Sequence, residues 1–174
     1  MTWRELVAGA VECALEDLAR VAGNHPHEVM PKEEQARSAM YAFLRGAAAV
    51  VHVEATYPGT RQECDLRVKP ARGRREIWIE LKNTWWVRGW DNSATELAWK
   101  AGVDIKKLAQ APSSTTKLFI LFGYFDHEPS GSPRRVPQVI FSLRPDTPLY
   151  DSGSRDFHWG DSPIRKIRAW IWQV

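Results

Sequence analysis

The sequence predicts an α/β fold: a single domain with a mixed central sheet flanked by helices. Three observations predict it. Two runs of alternating character, Asp65-Leu66-Arg67-Val68 and the stretch from Glu76 to Lys82, lie close enough in the chain to pair as a hairpin. Three further segments carry apolar residues every three or four positions, two ahead of the strands and one behind them. The nearly continuous apolar run KLFILFGYF follows the third helical segment and reads as a buried strand, returned to the sheet by a right-handed helical crossover. With 174 residues, 44% of them hydrophobic, the chain can fill one full-sized core over 1–174 without a linker.

In order, Thr2 and Glu5 form a capping box that opens a helix to about Val21, with Val7, Val11, Ala14, Leu18 and Val21 as its apolar stripe. After the loop AGNHPHEVMP a second helix begins near Pro31 and should bury Ala36, Met40, Phe43 and Ala47. The strand VVHVEATY and the turn PGT follow, then the hairpin, whose tip is shaped by Pro70 and Gly73. NTWWVRGWDN reads as a loop. Ser93 and Glu96 make another capping box, opening a helix to about Gln110 that turns Leu97, Ala101, Ile105 and Leu108 inward. Beyond KLFILFGYF, DHEPSGSPRRVP is a loop, VPQVIFSLRP a strand and TPLYDSGSRDFHWGDSP an irregular connection. The closing IRKIRAWIWQV is a strand with Lys166, Arg168, Trp170 and Trp172 on one face.

The hairpin carries the chemistry. A side-chain period of two places Asp65 on one face of its strand, and Glu80 together with Lys82 on one face of the next. Two carboxylates are hard oxygen donors, suited to magnesium better than to zinc, and can bridge a divalent ion to a substrate phosphate. An ammonium two residues past the second carboxylate can position or deprotonate a water, or neutralise charge growing on phosphate.

Asp65, a gap, then Glu80-Leu81-Lys82 on adjacent strands resembles the PD-(D/E)xK nuclease superfamily, the restriction endonuclease-like fold. The order of elements over roughly 31–125 also looks like that family's αβββαβ core, with 126–174 as a C-terminal extension. Cys64 stands where the pattern has its proline. The resemblance implies Mg²⁺, with Mn²⁺ as a substitute, held by Asp65, Glu80 and the Leu81 carbonyl, and Lys82 acting on the attacking water. It also implies one more acid from the helix before the first strand. Extending that helix's face backwards reaches Glu33, with Glu34 as the fallback; Glu54, near the end of the first strand, is a further candidate ranked below Glu33. A carboxylate at that helix start also suits the macrodipole without any metal.

Net charge is +3, unevenly spread: residues 1–34 hold three Lys or Arg against seven Asp or Glu, leaving +7 on the rest. Polyanion contact is therefore expected from the later part. Arg61, Arg67, Lys69, Arg72, Arg74 and Arg75 crowd positions 61–75, and Arg72, Arg74 and Arg75 at the hairpin tip form a candidate phosphate-contacting edge. They equally suit a solvated turn. Trp85, Trp86 and Arg88 are candidates for stacking on bases, or for capping a core or a dimer contact. On the third helix Lys100, Asp104 and Lys107 share one face and Lys106 and Gln110 lie one turn apart; one of these, with Lys106 as the choice, could reach a scissile phosphate or its water, while most serve to solvate the helix.

Cys13 and Cys64 have no metal-ligand spacing and are too few for a disulfide scaffold, so a reducing cytoplasm is expected. Acids inside the apolar stretch of the amino terminus argue against a secretory signal or membrane span. His25 and His27, in HPHE, lack a second ligand pair, and no Gly-x-Ser-x-Gly, phosphate loop or dinucleotide fingerprint is present. The expectation is a metal-dependent endonuclease hydrolysing phosphodiester bonds of nucleic acid, DNA rather than RNA. The alternative is a catalytically inactive nuclease fold serving as a nucleic-acid-binding or assembly subunit. Concerted cutting of two strands would need a homodimer or a larger complex, for which the chain has no readable dimer pattern.

Overall fold

A computed structural model describes residues 1–24, 32–47, 50–70, 75–86, 94–125, 148–157 and 165–174. Its elements are α1 (Trp3–Asn24), α2 (Glu33–Gly46), β1 (Val50–Thr56), β2 (Glu63–Lys69), β3 (Ile77–Trp86), α3 (Ala94–Leu108), β4 (Thr116–Phe125), β5 (Tyr150–Asp151), β6 (Arg155–Phe157) and β7 (Arg165–Gln173). The expected run of helix, three strands, helix and strand is α2 through β4.

The first capping box forms: the Glu5 amide donates to Thr2 Oγ1 at 3.2 Å and the Thr2 amide to the Glu5 carboxylate at 2.6 Å. The helix overruns its expected end by a turn, since the first residue that forbids continuation is Pro26. α2 starts at Glu33 and turns Ala36, Met40 and Leu44 into the core. Phe43 is only partly buried, because it lies across α1 instead: a Cβ on Gly9 would meet its ring at 2.7 Å. Ala47, expected inside, is the half-exposed C-cap. Pro31 and VPQVIFSLRP fall outside the described residues.

The strands form one mixed sheet ordered β1-β2-β3-β4-β7-β5, with β6 also on β7. β1, β2 and β3 are antiparallel neighbours, β3 and β4 are parallel across the α3 crossover, and β7 returns antiparallel to β4. Two expectations are corrected. NTWW is not loop: β3 continues to Trp86, laddered on β4 from Ile77↔Thr116 to Trp86↔Phe125, because the ten-residue β4 offers partners along that whole length. The segment before β7 is not wholly irregular either. Its two short strands cover the far side of β7, and two or three residues are too few to show alternation.

Period two divides the sheet into two cores. Leu66, Val68, Ile79, Leu81, Ile120, Phe122, Ile167 and Ala169 pack against α1 and α2. Trp78, Phe119, Leu121, Trp170 and Trp172 pack on the opposite face with Leu97, Ala101 and Leu108 of α3, as the spacing of both strand and helix predicts. Among the described residues no helix is long and apolar enough to cross a membrane.

Candidate functional site

The hairpin ladder between β2 and β3 runs Val68↔Ile77, Arg67↔Trp78 and Leu66↔Ile79. One position on, the Asp65 side chain replaces the backbone partner: its Oδ2 accepts the Leu81 N–H at 2.7 Å. In a strand a residue's N–H and C=O point to the same side, so the Leu81 carbonyl also faces the opening beside Asp65. Glu80 lies on the α3 face, 1% exposed. Its Oε1 accepts the Tyr57 hydroxyl at 2.8 Å and its Oε2 accepts Lys107 Nζ at 3.0 Å. Tyr57 is itself fixed by stacking on Trp78 at 4.9 Å.

Lys82 Nζ bridges two helices, 2.9 Å from Asp104 Oδ2 of α3 and 3.4 Å from Glu33 Oε2 of α2. Glu33 Oε2 also accepts the Asn83 amide at 3.3 Å, and Asp104 Oδ1 meets Lys107 at 3.0 Å. Arg37 of α2 completes the group, 3.4 Å from Asp65 Oδ1 and 3.0 Å from Glu54 Oε1. Five carboxylates (Glu33, Glu54, Asp65, Glu80, Asp104) and three cations (Arg37, Lys82, Lys107) thus meet around the strand ends.

Burial, reinforced by the Asp65 charge, pushes the Glu80 carboxyl up to about 8, and Lys107 only partly offsets this. Burial likewise raises Glu33. For Lys82, burial favours the neutral amine, but the Glu33 and Asp104 carboxylates overcome it and the net shift is upward. Lys107 follows the same balance with Glu80 as its main partner. Lys82 is therefore an ammonium at neutral pH, a donor and a charge rather than a base. Cys64, buried beside Glu80, has its free thiol pushed up to about 12, chiefly by burial, which makes it a poor nucleophile.

Asp65, Glu80, Leu81, Lys82 and Glu33, all expected from sequence, come together. Glu34 is exposed. Glu54 is exposed too but enters through Arg37. Lys106 is exposed on α3; the lysine that reaches the strands is its neighbour Lys107, together with Asp104 at 6% exposure. Lys100 on that face is exposed, while Asp104 and Lys107 are its members that reach the site. Asp104 follows Ala101 by three and precedes Leu108 by four, a spacing that already set it inward. Arg37 and Tyr57 had no comparable signal. Arg75 is exposed beside the tip, whereas Arg67 is turned to Glu76 at 2.8 Å and lies over Trp78 at 5.0 Å. Trp85 and Trp86 belong to β3, and Arg72, Arg74 and Arg88 lie outside the described residues.

Among the described residues no three His, Cys, Asp or Glu side chains are grouped to hold a metal ion. A set of two carboxylates and one main-chain carbonyl does not require three. Asp65 and Glu80, near enough for the charge of one to raise the other, and the Leu81 carbonyl offer only hard oxygens, which fits magnesium or manganese by donor chemistry. Comparison with protein-family models, with curated proteins and with solved structures finds no match.

Proposed function

We propose that the chain is a metal-dependent nuclease of the PD-(D/E)xK, restriction endonuclease-like type, hydrolysing phosphodiester bonds of DNA. The observation that carries this reading is the opening past Leu66↔Ile79, where Asp65, buried Glu80, the Leu81 carbonyl and the Lys82 ammonium converge. Asp65, Glu80 and Leu81 would hold Mg²⁺ or Mn²⁺. When bound, that ion polarises phosphate oxygen and lowers the pKa of a water.

The chain's own residues do the rest. Glu33 and Asp104 hold Lys82 from opposite sides, so its ammonium is fixed and protonated, able to orient a water by donating to it and to balance charge on the phosphate. Tyr57 orients Glu80 by its hydroxyl. Arg75, with Arg72 and Arg74 beside it in sequence, supplies phosphate contact along the hairpin tip, with Lys106 on α3, while Trp85, Trp86 and Arg88 contribute stacking. Cutting both strands in concert calls for a homodimer or a larger complex.

Supercoiled plasmid and single-stranded DNA, incubated with Mg²⁺ or Mn²⁺, test the reading against Glu80→Ala purified identically. A metal-dependent nick that the variant loses is expected. No cleavage by the wild type, with no metal binding by calorimetry, would defeat it.

One observation favours a second reading: Glu80 and Asp65 already have cationic partners within the chain, Lys107 and Arg37. A cluster so neutralised also suits a noncatalytic nucleic-acid-binding subunit. Divalent-ion binding that disappears in Asp65→Asn separates the two, since only the nuclease reading requires it.

A further inference from the structure

We propose that Lys107 and Arg37 are placeholder cations: they occupy Glu80 and Asp65 while the site holds no divalent ion, and pass to the non-bridging oxygens of a phosphodiester when one binds. The inference rests on the metal-dependent reading above and names the groups that meet its substrate.

The pairing comes first. Lys107 lies 3.0 Å from Glu80 and Arg37 3.4 Å from Asp65, so each proposed metal-ligating carboxylate already faces one cation of the chain. A dication taking the same oxygens offers them the same sign of partner, so neither state leaves an ionised carboxylate alone.

The tethers come second. Each cation has another carboxylate partner that is not a proposed metal ligand: Asp104 at 3.0 Å for Lys107 and Glu54 at 3.0 Å for Arg37. Displaced from Glu80 or Asp65, each side chain is still held beside the opening. Glu54 has φ +52, the one positive value at a non-glycine position among the described residues, and it lies between the pairs Val53↔Leu66 and Ala55↔Cys64, opposite Asp65 in an unshifted register. A conformation that side chains rarely adopt is thus kept where it holds Arg37.

The ligand chemistry comes third. A phosphate bound to the ion through one oxygen presents further anionic oxygens to its surroundings. A guanidinium fork and an ammonium on either side are the groups that receive them. Asp104, shared by Lys82 and Lys107, then sets the spacing between the water-directed and the phosphate-directed lysine.

The test is Mn²⁺ binding by isothermal titration calorimetry to wild type, Lys107→Gln and Lys107→Arg, without nucleic acid. Lys107→Gln removes a competitor and is expected to bind Mn²⁺ roughly tenfold tighter, whereas Lys107→Arg stays near wild type. A purely structural lysine would give the opposite sign, because its loss would loosen the site. Unchanged or weaker binding by Lys107→Gln, with wild-type binding intact, overturns the placeholder role alone. No Mn²⁺ binding by the wild type overturns the metal-dependent reading and this one with it. Arg37→Gln makes the same measurement at Asp65 if Lys107→Gln does not fold.

Discussion

Replacing Glu80 with Gln should stabilise the metal-stripped protein, and increasingly so as pH rises. The substitution keeps side-chain shape and an acceptor for the Tyr57 hydroxyl while removing a buried charge. In the folded wild type the carboxyl is pushed from its ordinary 4.5 to about 8, mainly by burial and then by Asp65. A raised acid contributes stability that is present below 4.5 and lost as pH climbs towards 8. Each pH unit inside that window removes about 1.4 kcal/mol from the wild type and nothing from the variant. Between pH 5 and pH 7 the limit is therefore roughly 3 kcal/mol, and about half of it is expected because Lys107 loses its partner in the variant. For a chain of this size 1 kcal/mol moves Tm by about 2–4 °C, so the variant should gain roughly 3–6 °C on wild type over that interval. Thermal unfolding followed by circular dichroism in EDTA at pH 5, 6 and 7 measures it. Excess Mg²⁺ should shrink the gap at pH 7 by binding only the native wild type. A difference between the two proteins that does not change with pH would refute the account of Glu80 as an uncomfortable buried acid.

Lys82→Ala should reduce plasmid cleavage by about a thousandfold, the scale of losing one preorganised charge, with DNA affinity nearly unchanged in a gel-shift assay; undiminished turnover would remove Lys82 from the chemistry. Glu76 offers a case of opposite sign. Burial alone would raise its carboxyl, but Arg67 at 2.8 Å, Trp78 Nε1 at 3.2 Å and Lys69 at 3.4 Å outweigh burial and lower it. That stability is present above the unfolded pKa and lost as pH falls through the lowered one. Glu76→Gln should therefore cost about 1 kcal/mol by urea unfolding at pH 7 and progressively less as pH falls below the ordinary carboxylate range.

Much of the fold was legible because it is written in short-range spacing. Thr2 and Glu5 cap α1 as their three-residue separation requires, and alternation placed Ile77, Ile79 and Leu81 in one core with Trp78, Glu80 and Lys82 opposite. Leu44 and Phe43 show the limit. Both sit on the inward side of α2 by periodicity, yet Leu44 is fully buried and Phe43 only partly, and the glycine at position 9, on another helix, leaves the room its ring takes. The length of β3 was likewise set by β4 rather than by NTWW itself.

The same division runs through the candidate site. Residue spacing alone put Asp65 on one strand, Glu80 and Lys82 on a shared face of the next, and Glu33 at the start of the preceding helix. Only the tertiary structure decided that Leu81 points at Asp65, that Tyr57 and Lys107 close over Glu80, and that Asp104 and Glu33 hold Lys82 between two helices. Periods of two and 3.6 follow from the backbone alone and can be read within ten residues. Strand register and the seating of α2 and α3 follow instead from burying two cores at once, so partners 16 to 50 residues apart in sequence become neighbours only when the whole sheet is assembled.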